Sequence, residues 1–189
     1  MIITITATET FVLWDMADFP LPKDEIGSFY RNVESSVREE GYTSEVTIKA
    51  YGHREGSTPV DSDYIHQSIQ LVRLHSKFVR VNHMLVEALS FARVFPQSNI
   101  MLIMKGMGEE GTEVVRIIKE LQKRNCNVFL VVADYDECPL EVKPSCTVWL
   151  WESLLEGGFP LLSVSEMKKR TKERRIKERR KEKMKEMMK

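Results

Sequence analysis

The chain has 189 residues, of which 42% are hydrophobic, so it is long and apolar enough to bury the core of one domain. This excludes a chain that is disordered throughout. Residues 167–189 carry 13 Lys or Arg and 4 Glu, whereas residues 1–166 carry 15 basic and 24 acidic side chains. The sequence is therefore an acidic body of net charge −9 followed by a basic tail of net charge +9.

The sequence also indicates the compartment. No apolar run approaches the roughly 20 residues that cross a bilayer, and the first nine residues lack the basic region of a secretory signal. The three cysteines, Cys126, Cys138 and Cys146, have no CxxC spacing, which predicts reduced structural thiols. We expect an intracellular protein. The cytoplasm is the preferred compartment, and the peroxisome and the nucleus are the alternatives.

Apolar segments typical of strands alternate along the body with amphipathic segments typical of helices. The predicted strands are 11–14, 46–51, 69–74, 100–104, 127–133 and 147–151, and the predicted helices are 24–40, 82–94 and 112–124. Residues 52–63 are turn-rich, and a weak helix or loop is expected between them and residue 69. The alternation predicts an α/β fold with a mainly parallel central sheet in residues 1–162, followed by a helical or disordered tail in 163–189.

Acidic residues follow several of the predicted strands. Asp15 and Asp18 follow the first strand, Lys105–Glu109 follows the fourth and Asp134 follows the fifth. In a parallel sheet these positions share the edge where ligands bind. Clustered carboxylates are what a divalent cation such as Mg²⁺ needs. By themselves, however, Asp15 and Asp18 are more typical of capped turns than of a metal site, and the glycines of KGMGEEG match no phosphate-binding motif and predict a plain turn.

Several sequence blocks occur in the order seen in one known family. They are FVLWDMADFPLP followed by EVTIKAYG, then VNHMLVEALSFARVFPQSNIMLIMKG, then KRNCNVFLVV followed by TVWLWESLLEGGFPL. Over about residues 9–162 the chain resembles the NYN domain, a PIN-like nuclease fold, in its limkain or meiosis regulator and mRNA stability factor type, particularly the divergent plant branch. The resemblance implies a three-layer sandwich and an RNA-associated protein involved in regulation of gene expression.

The resemblance also implies a site. Active members are endoribonucleases that use acidic residues and Mg²⁺ or Mn²⁺. Asp15 occupies the first acidic position, Asp18 stands where the family commonly has Asn, and Glu87 takes a later acidic position. The implied catalytic residues are Asp15 and Glu87, and the implied metal ligands are Asp15, Asp18, Glu87 and Asp134.

Three family acids are missing. The acid that opens the third helix would fall near Val81 or Asn82, and the two Asp of the signature after the fourth strand correspond to Gly106 and Gly108. The implied site has therefore lost about half of the negative charge that would hold a metal ion, unless Glu109 or Glu110 replaces one of the missing acids. This favours a noncatalytic RNA-binding regulator over an active endoribonuclease, with a protein-interaction adaptor as a third alternative.

The cations are the candidate RNA contacts. They are Lys105 in the body and the tail residues Lys168, Lys169, Arg170, Arg174, Arg175, Arg179 and Arg180. A basic segment of this kind attracts RNA phosphates. The same composition is compatible with a nuclear-import signal, or with a solubilising extension that docks on the acidic body.

Overall fold

The computed structural model describes residues 9–43, 45–54, 63–66, 68–107 and 112–161, with 63–66 described as backbone only. The strands are β1 (Thr10–Asp15), β2 (Val46–His53), β3 (Asp63–His66), β4 (Ile69–Leu74), β5 (Asn99–Ile103), β6 (Asn127–Val132) and β7 (Thr147–Leu150). The helices are α1 (Ile26–Glu39), α2 (Lys77–Val94), α3 (Glu113–Lys123) and α4 (Trp151–Leu155).

One sheet contains all the described strands, in the order β3-β4-β2-β1-β5-β6-β7. The six strands β4, β2, β1, β5, β6 and β7 are parallel to one another. The edge strand β3 pairs antiparallel with β4. The chain first builds outward from β1 through β2 to β4 and then crosses to β5 on the other side of β1. The strand order therefore reverses between β1 and β5, and at such a point the carboxyl ends of the strands open into a crevice.

Helices cover both faces of the sheet. Val12 and Trp14 of β1 point toward the layer that contains α1 and α4, while Phe11 and Leu13 point toward α2 and α3. Every residue of β1 is buried, as expected for a central parallel strand that is covered on both sides. The predicted α/β fold is confirmed as a three-layer sandwich, which is consistent with a PIN-like architecture.

The beginning of α2 differs from the prediction. The helix begins at Lys77 rather than at residue 82, and its cap is Ser76, whose side-chain oxygen accepts a hydrogen bond from the Val79 amide at 3.3 Å. Asn82 lies inside the helix. The sequence pattern missed this first turn because Arg80, a charged residue, occupies a buried position. That placement interrupts the apolar periodicity from which helices are predicted.

Two smaller predictions are also corrected. Residues 63–66, expected in a loop or a weak helix, form the edge strand β3, and Trp151, expected to end the last strand, begins α4. A strand of four residues is too short to show a clear alternation. The three cysteines are buried and free, as predicted. Within the described ranges, no helix is long and apolar enough to cross a membrane.

Candidate functional site

Asp15 is the last residue of β1 and lies at the floor of the crevice. Its side chain is fully buried, and its Oδ1 accepts a hydrogen bond from the Ala17 amide at 3.0 Å. This bond closes a tight turn directly after the strand, so the prediction that Asp15 caps a turn is confirmed. The turn also directs the carboxylate toward the first part of α2.

Arg80 of α2 neutralises this carboxylate. Its Nε donates to both oxygens of Asp15, at 3.0 Å to Oδ1 and 3.1 Å to Oδ2, and only 5% of Arg80 is exposed. The two residues thus form a buried ion pair between the end of the central strand and the helix that crosses to β5. Removing only one partner of such a pair strongly destabilises the folded protein, because the other charge then stays buried without a partner.

Asp18 makes a second set of contacts across the crevice. Its Oδ2 accepts a hydrogen bond from the Lys105 amide at 2.9 Å, and its Oδ1 accepts one from Lys77 Nζ at 3.1 Å. Lys105 follows β5, and its ammonium lies 5.2 Å from the centre of the Phe19 ring. Asp18 therefore connects the loop after β1, the loop after β5 and the first turn of α2.

Gly106 has a conformational role in this loop. Its φ of +76° lies in the left-handed region that side chains disfavour, and a Cβ built there would lie 3.7 Å from Lys77 Nζ. The position at which the resemblance to the NYN domain implies an acid is therefore a glycine with positive φ, next to a cation. Gly108, Glu109 and Glu110 lie outside the described residues.

Among the residues that the structure describes, the crevice contains more positively than negatively charged side chains. Arg80 pairs with the Asp15 carboxylate and Lys77 with that of Asp18, while Lys105 donates its backbone amide to Asp18 and holds its ammonium over the Phe19 ring. Burial raises the pKa of Asp15, the nearby charge of Asp18 raises it further, and the Arg80 guanidinium opposes both effects without cancelling them. The carboxylate oxygens already accept hydrogen bonds from protein donors. This donor set does not fit a divalent cation, which requires free anionic oxygens and would be repelled by Arg80 and Lys77.

Glu87 lies away from this crevice. It is seven residues beyond Arg80 on α2, which is about 10 Å along the helix axis. Its Oε1 forms an ion pair with Lys49 of β2 and lies 3.4 Å from Nδ1 of His83. Burial, together with the charge of Glu87, raises the pKa of Tyr51. The structure thus separates Glu87 from Asp15 and places it in a polar cluster on the α2 side of β2.

Asp134 is also separate from Asp15, because β5 lies between β6 and β1. Its exposed carboxylate accepts a hydrogen bond from the Asp136 amide at 3.0 Å and caps a short 3-10 helix, Tyr135–Glu137. In the part of the chain that the structure describes, no group of three or more His, Cys, Asp or Glu side chains is arranged to hold a metal ion. The implied ligands Asp15, Asp18, Glu87 and Asp134 are not brought together, except for the pair Asp15 and Asp18.

Sequence reasoning missed the cations of α2 and a second basic contact at the same edge. Arg54 follows β2 and its Nη1 lies 3.3 Å from Nε2 of His75, which follows β4. The rule that located Asp15 applies equally to these two residues, because both follow parallel strands. Lys77 and Arg80 were missed because the helix start was placed too late. The tail residues Lys168, Lys169, Arg170, Arg174, Arg175, Arg179 and Arg180 lie outside the described residues.

Comparison with known proteins does not assign the chain to a family. No protein-family model matches it, and no curated protein matches it. The resemblance to the NYN domain therefore rests on the sequence blocks quoted above, together with a fold that is consistent with them.

Proposed function

We propose that this protein is a noncatalytic, NYN-like RNA-associated module that regulates gene expression and contacts single-stranded RNA through the crevice between β1 and β5. The observation that carries the proposal is the charge arrangement there. Lys77 and Arg80 pair with two carboxylates that already accept hydrogen bonds from the protein, and the Lys105 ammonium lies over the Phe19 ring of the same crevice. A nuclease of this type needs those carboxylates for metal ions, whereas a phosphate-binding module needs the cations.

The position of the cations supports phosphate binding. Lys77 is half-exposed, Lys105 is exposed, and both lie where open parallel sheets bind their ligands. Lys77 also belongs to the first turn of α2, where the helix dipole favours an anion. A backbone phosphate can therefore compete with Asp18 for the Lys77 ammonium without disturbing the buried pair of Asp15 and Arg80.

The contribution of the crevice can be tested by removing its two accessible charges. We expect Lys77→Gln/Lys105→Gln to weaken binding of a single-stranded RNA and to flatten the slope of log affinity against log salt by roughly 1.4, since each phosphate contact contributes about 0.7. The measurement is fluorescence anisotropy over a salt series. The matched control is Lys119→Gln/Lys123→Gln, which removes two charges from α3. Equal effects of the two double variants would contradict a specific role for the crevice.

Catalysis provides a second test. We expect the purified protein to cleave single-stranded RNA no faster than a buffer control in the presence of excess Mg²⁺ or Mn²⁺, because Arg80 and Lys77 engage the carboxylates that would bind the metal. Gel analysis of a labelled RNA gives the rate. Metal-dependent cleavage that Asp15→Asn and Asp18→Asn each abolish, with unchanged circular dichroism, would overturn the noncatalytic proposal in favour of an active endoribonuclease.

A further inference from the structure

The protein holds the carboxylate of Asp18 as it would hold a small anion. Its Oδ2 accepts a hydrogen bond from the Lys105 amide at 2.9 Å, and Lys77 Nζ lies 3.1 Å from Oδ1 and 3.0 Å from Oδ2. These two donors come from the loop after β5 and from the first turn of α2. A backbone amide and a lysine ammonium are also the donors by which proteins bind the oxygens of a phosphate.

The loop after β5 approaches the same ammonium closely. Gly106 directly follows Lys105, and a Cβ built on it would lie 3.7 Å from Lys77 Nζ. The backbone of the loop therefore lies next to the ammonium with no side chain between them. Glycine is the usual residue where a backbone must come close to a ligand. The loop and the first turn of α2 thus face the Asp18 carboxylate together.

The turn that contains Asp18 does not depend on the Asp18 carboxylate. The amides of Asp18 and Phe19 donate to the Asp15 carbonyl oxygen at 3.1 and 3.0 Å, and the Ala17 amide donates to Asp15 Oδ1 at 3.0 Å. The oxygens of Asp15 therefore hold this turn. The Asp18 side chain is 12% exposed and Lys77 is half-exposed, so solvent reaches their contact. The Asp18 carboxylate can consequently leave its two donors while the turn stays in place.

We propose that the Lys105 amide and the Lys77 ammonium form a binding site for one backbone phosphate of RNA, which Asp18 fills in the free protein and leaves when RNA binds. The proposal rests on the proposed function, and it adds which atoms hold the phosphate and which group competes for them. Like charges a few ångströms apart repel each other, so the carboxylate and the phosphate exclude each other from this place. Asp18 therefore lowers the affinity for RNA.

The first experiment measures RNA affinity of the full chain by fluorescence anisotropy with a labelled single-stranded RNA. We expect Asp18→Ala to bind this RNA at least about fivefold more tightly than the unmodified protein, because the competing charge is gone. Asp18→Asn should give a smaller gain, since the amide oxygen can still accept from Lys105. The control is Asp136→Asn, which removes an exposed carboxylate after β6 at the same edge of the sheet and should change the affinity less than about twofold. Circular dichroism checks that each variant is folded.

The second experiment separates displacement of Asp18 from a general effect of its charge. If Asp18 must leave the Lys77 ammonium before RNA binds, Asp18→Ala should give a clearly smaller gain in a Lys77→Gln background than in the unmodified protein. An equal gain in both backgrounds would show that Asp18 acts by charge alone and stays in place. The amide signal of Lys105 in ¹H–¹⁵N NMR spectra reports the other donor, and it should shift when RNA saturates the unmodified protein.

The outcomes distinguish this site from the function on which it rests. A gain for Asp18→Ala no larger than that for Asp136→Asn, or a loss of affinity, would overturn the site, as would an unshifted Lys105 amide at saturating RNA. The proposed function would then stand if Lys77→Gln/Lys105→Gln still weakens RNA binding. If neither the unmodified protein nor Asp18→Ala binds RNA, the proposed function and the site fail together.

Discussion

Replacing Arg80 with Met is expected to lower the free energy of unfolding by about 3–5 kcal/mol at pH 7, the usual cost of removing one partner from a buried ion pair. The Asp15 carboxylate would remain fully buried, with Asp18 nearby and without the guanidinium that donates to both of its oxygens. Urea denaturation followed by circular dichroism measures the loss. The control is Arg116→Met, which removes an exposed pair with Glu113 and should cost at most about 1 kcal/mol.

A second substitution separates the charge effect from the loss of packing. The double variant Asp15→Asn/Arg80→Met leaves no buried charge, and the amide oxygen of the introduced asparagine can still accept the hydrogen bond that the Ala17 amide donates to Asp15. We therefore expect it to recover most of the stability that Arg80→Met loses. A double variant as unstable as Arg80→Met would show that the aliphatic part of Arg80, rather than its charge, holds α2 in place.

The loss of stability in Arg80→Met should become smaller as the pH falls. Burial and Asp18 already raise the pKa of Asp15 above its ordinary value of 3.8, and removal of the guanidinium raises it further. A carboxyl group with a raised pKa in the fold favours the folded state when protonated, and that contribution is lost as pH rises through the folded-state pKa. The deficit of Arg80→Met relative to the double variant should thus be largest at neutral pH and shrink as the pH falls toward about 4. A deficit that grows on acidification would contradict the assignment to Asp15.

Truncation after Glu166 is expected to have the largest effect on RNA binding. The tail contributes 13 cations and 4 anions, whereas the body has a net charge of −9 and opposes a polyanion. A tail that makes about four phosphate contacts adds roughly −3 to the slope of log affinity against log salt. Its contribution to the affinity should therefore fall about a thousandfold between roughly 0.05 and 0.5 M salt. Anisotropy titrations of the full-length and truncated chains on one RNA measure the two slopes.

A scrambled tail provides the control for this prediction. Because the electrostatic contribution is independent of sequence, a chain whose residues 167–189 are permuted should bind like the original. The body of the truncated chain should remain folded by circular dichroism, since the described elements from β1 to α4 all lie before the tail. Equal slopes for the full-length and truncated chains would contradict RNA binding by the tail and favour docking on the acidic body.

The sequence alone was sufficient to predict the parallel strands of the sheet and the edge at which the crevice lies. Residues 11–14 form a short, continuous apolar run that ends at Asp15, as is typical of a buried central strand. The alternation of strands and helices then predicted a parallel sheet, and the ends of its strands predicted where Asp15, Asp18 and Lys105 would lie. These features are local: each depends on a few consecutive residues and on the order of the elements along the chain.

Only the tertiary structure decided what these residues contact. Arg80 is 65 positions from Asp15, and Lys105 is 87 positions from Asp18. No periodic pattern connects residues so far apart, since their distance depends on the crossover through α2 and on the exact start of that helix. The same crossover directs Glu87 to Lys49 instead of to Asp15. Whether a carboxylate at the crevice can bind a metal ion depends on the cations beside it, and folding alone brings those cations into contact with it.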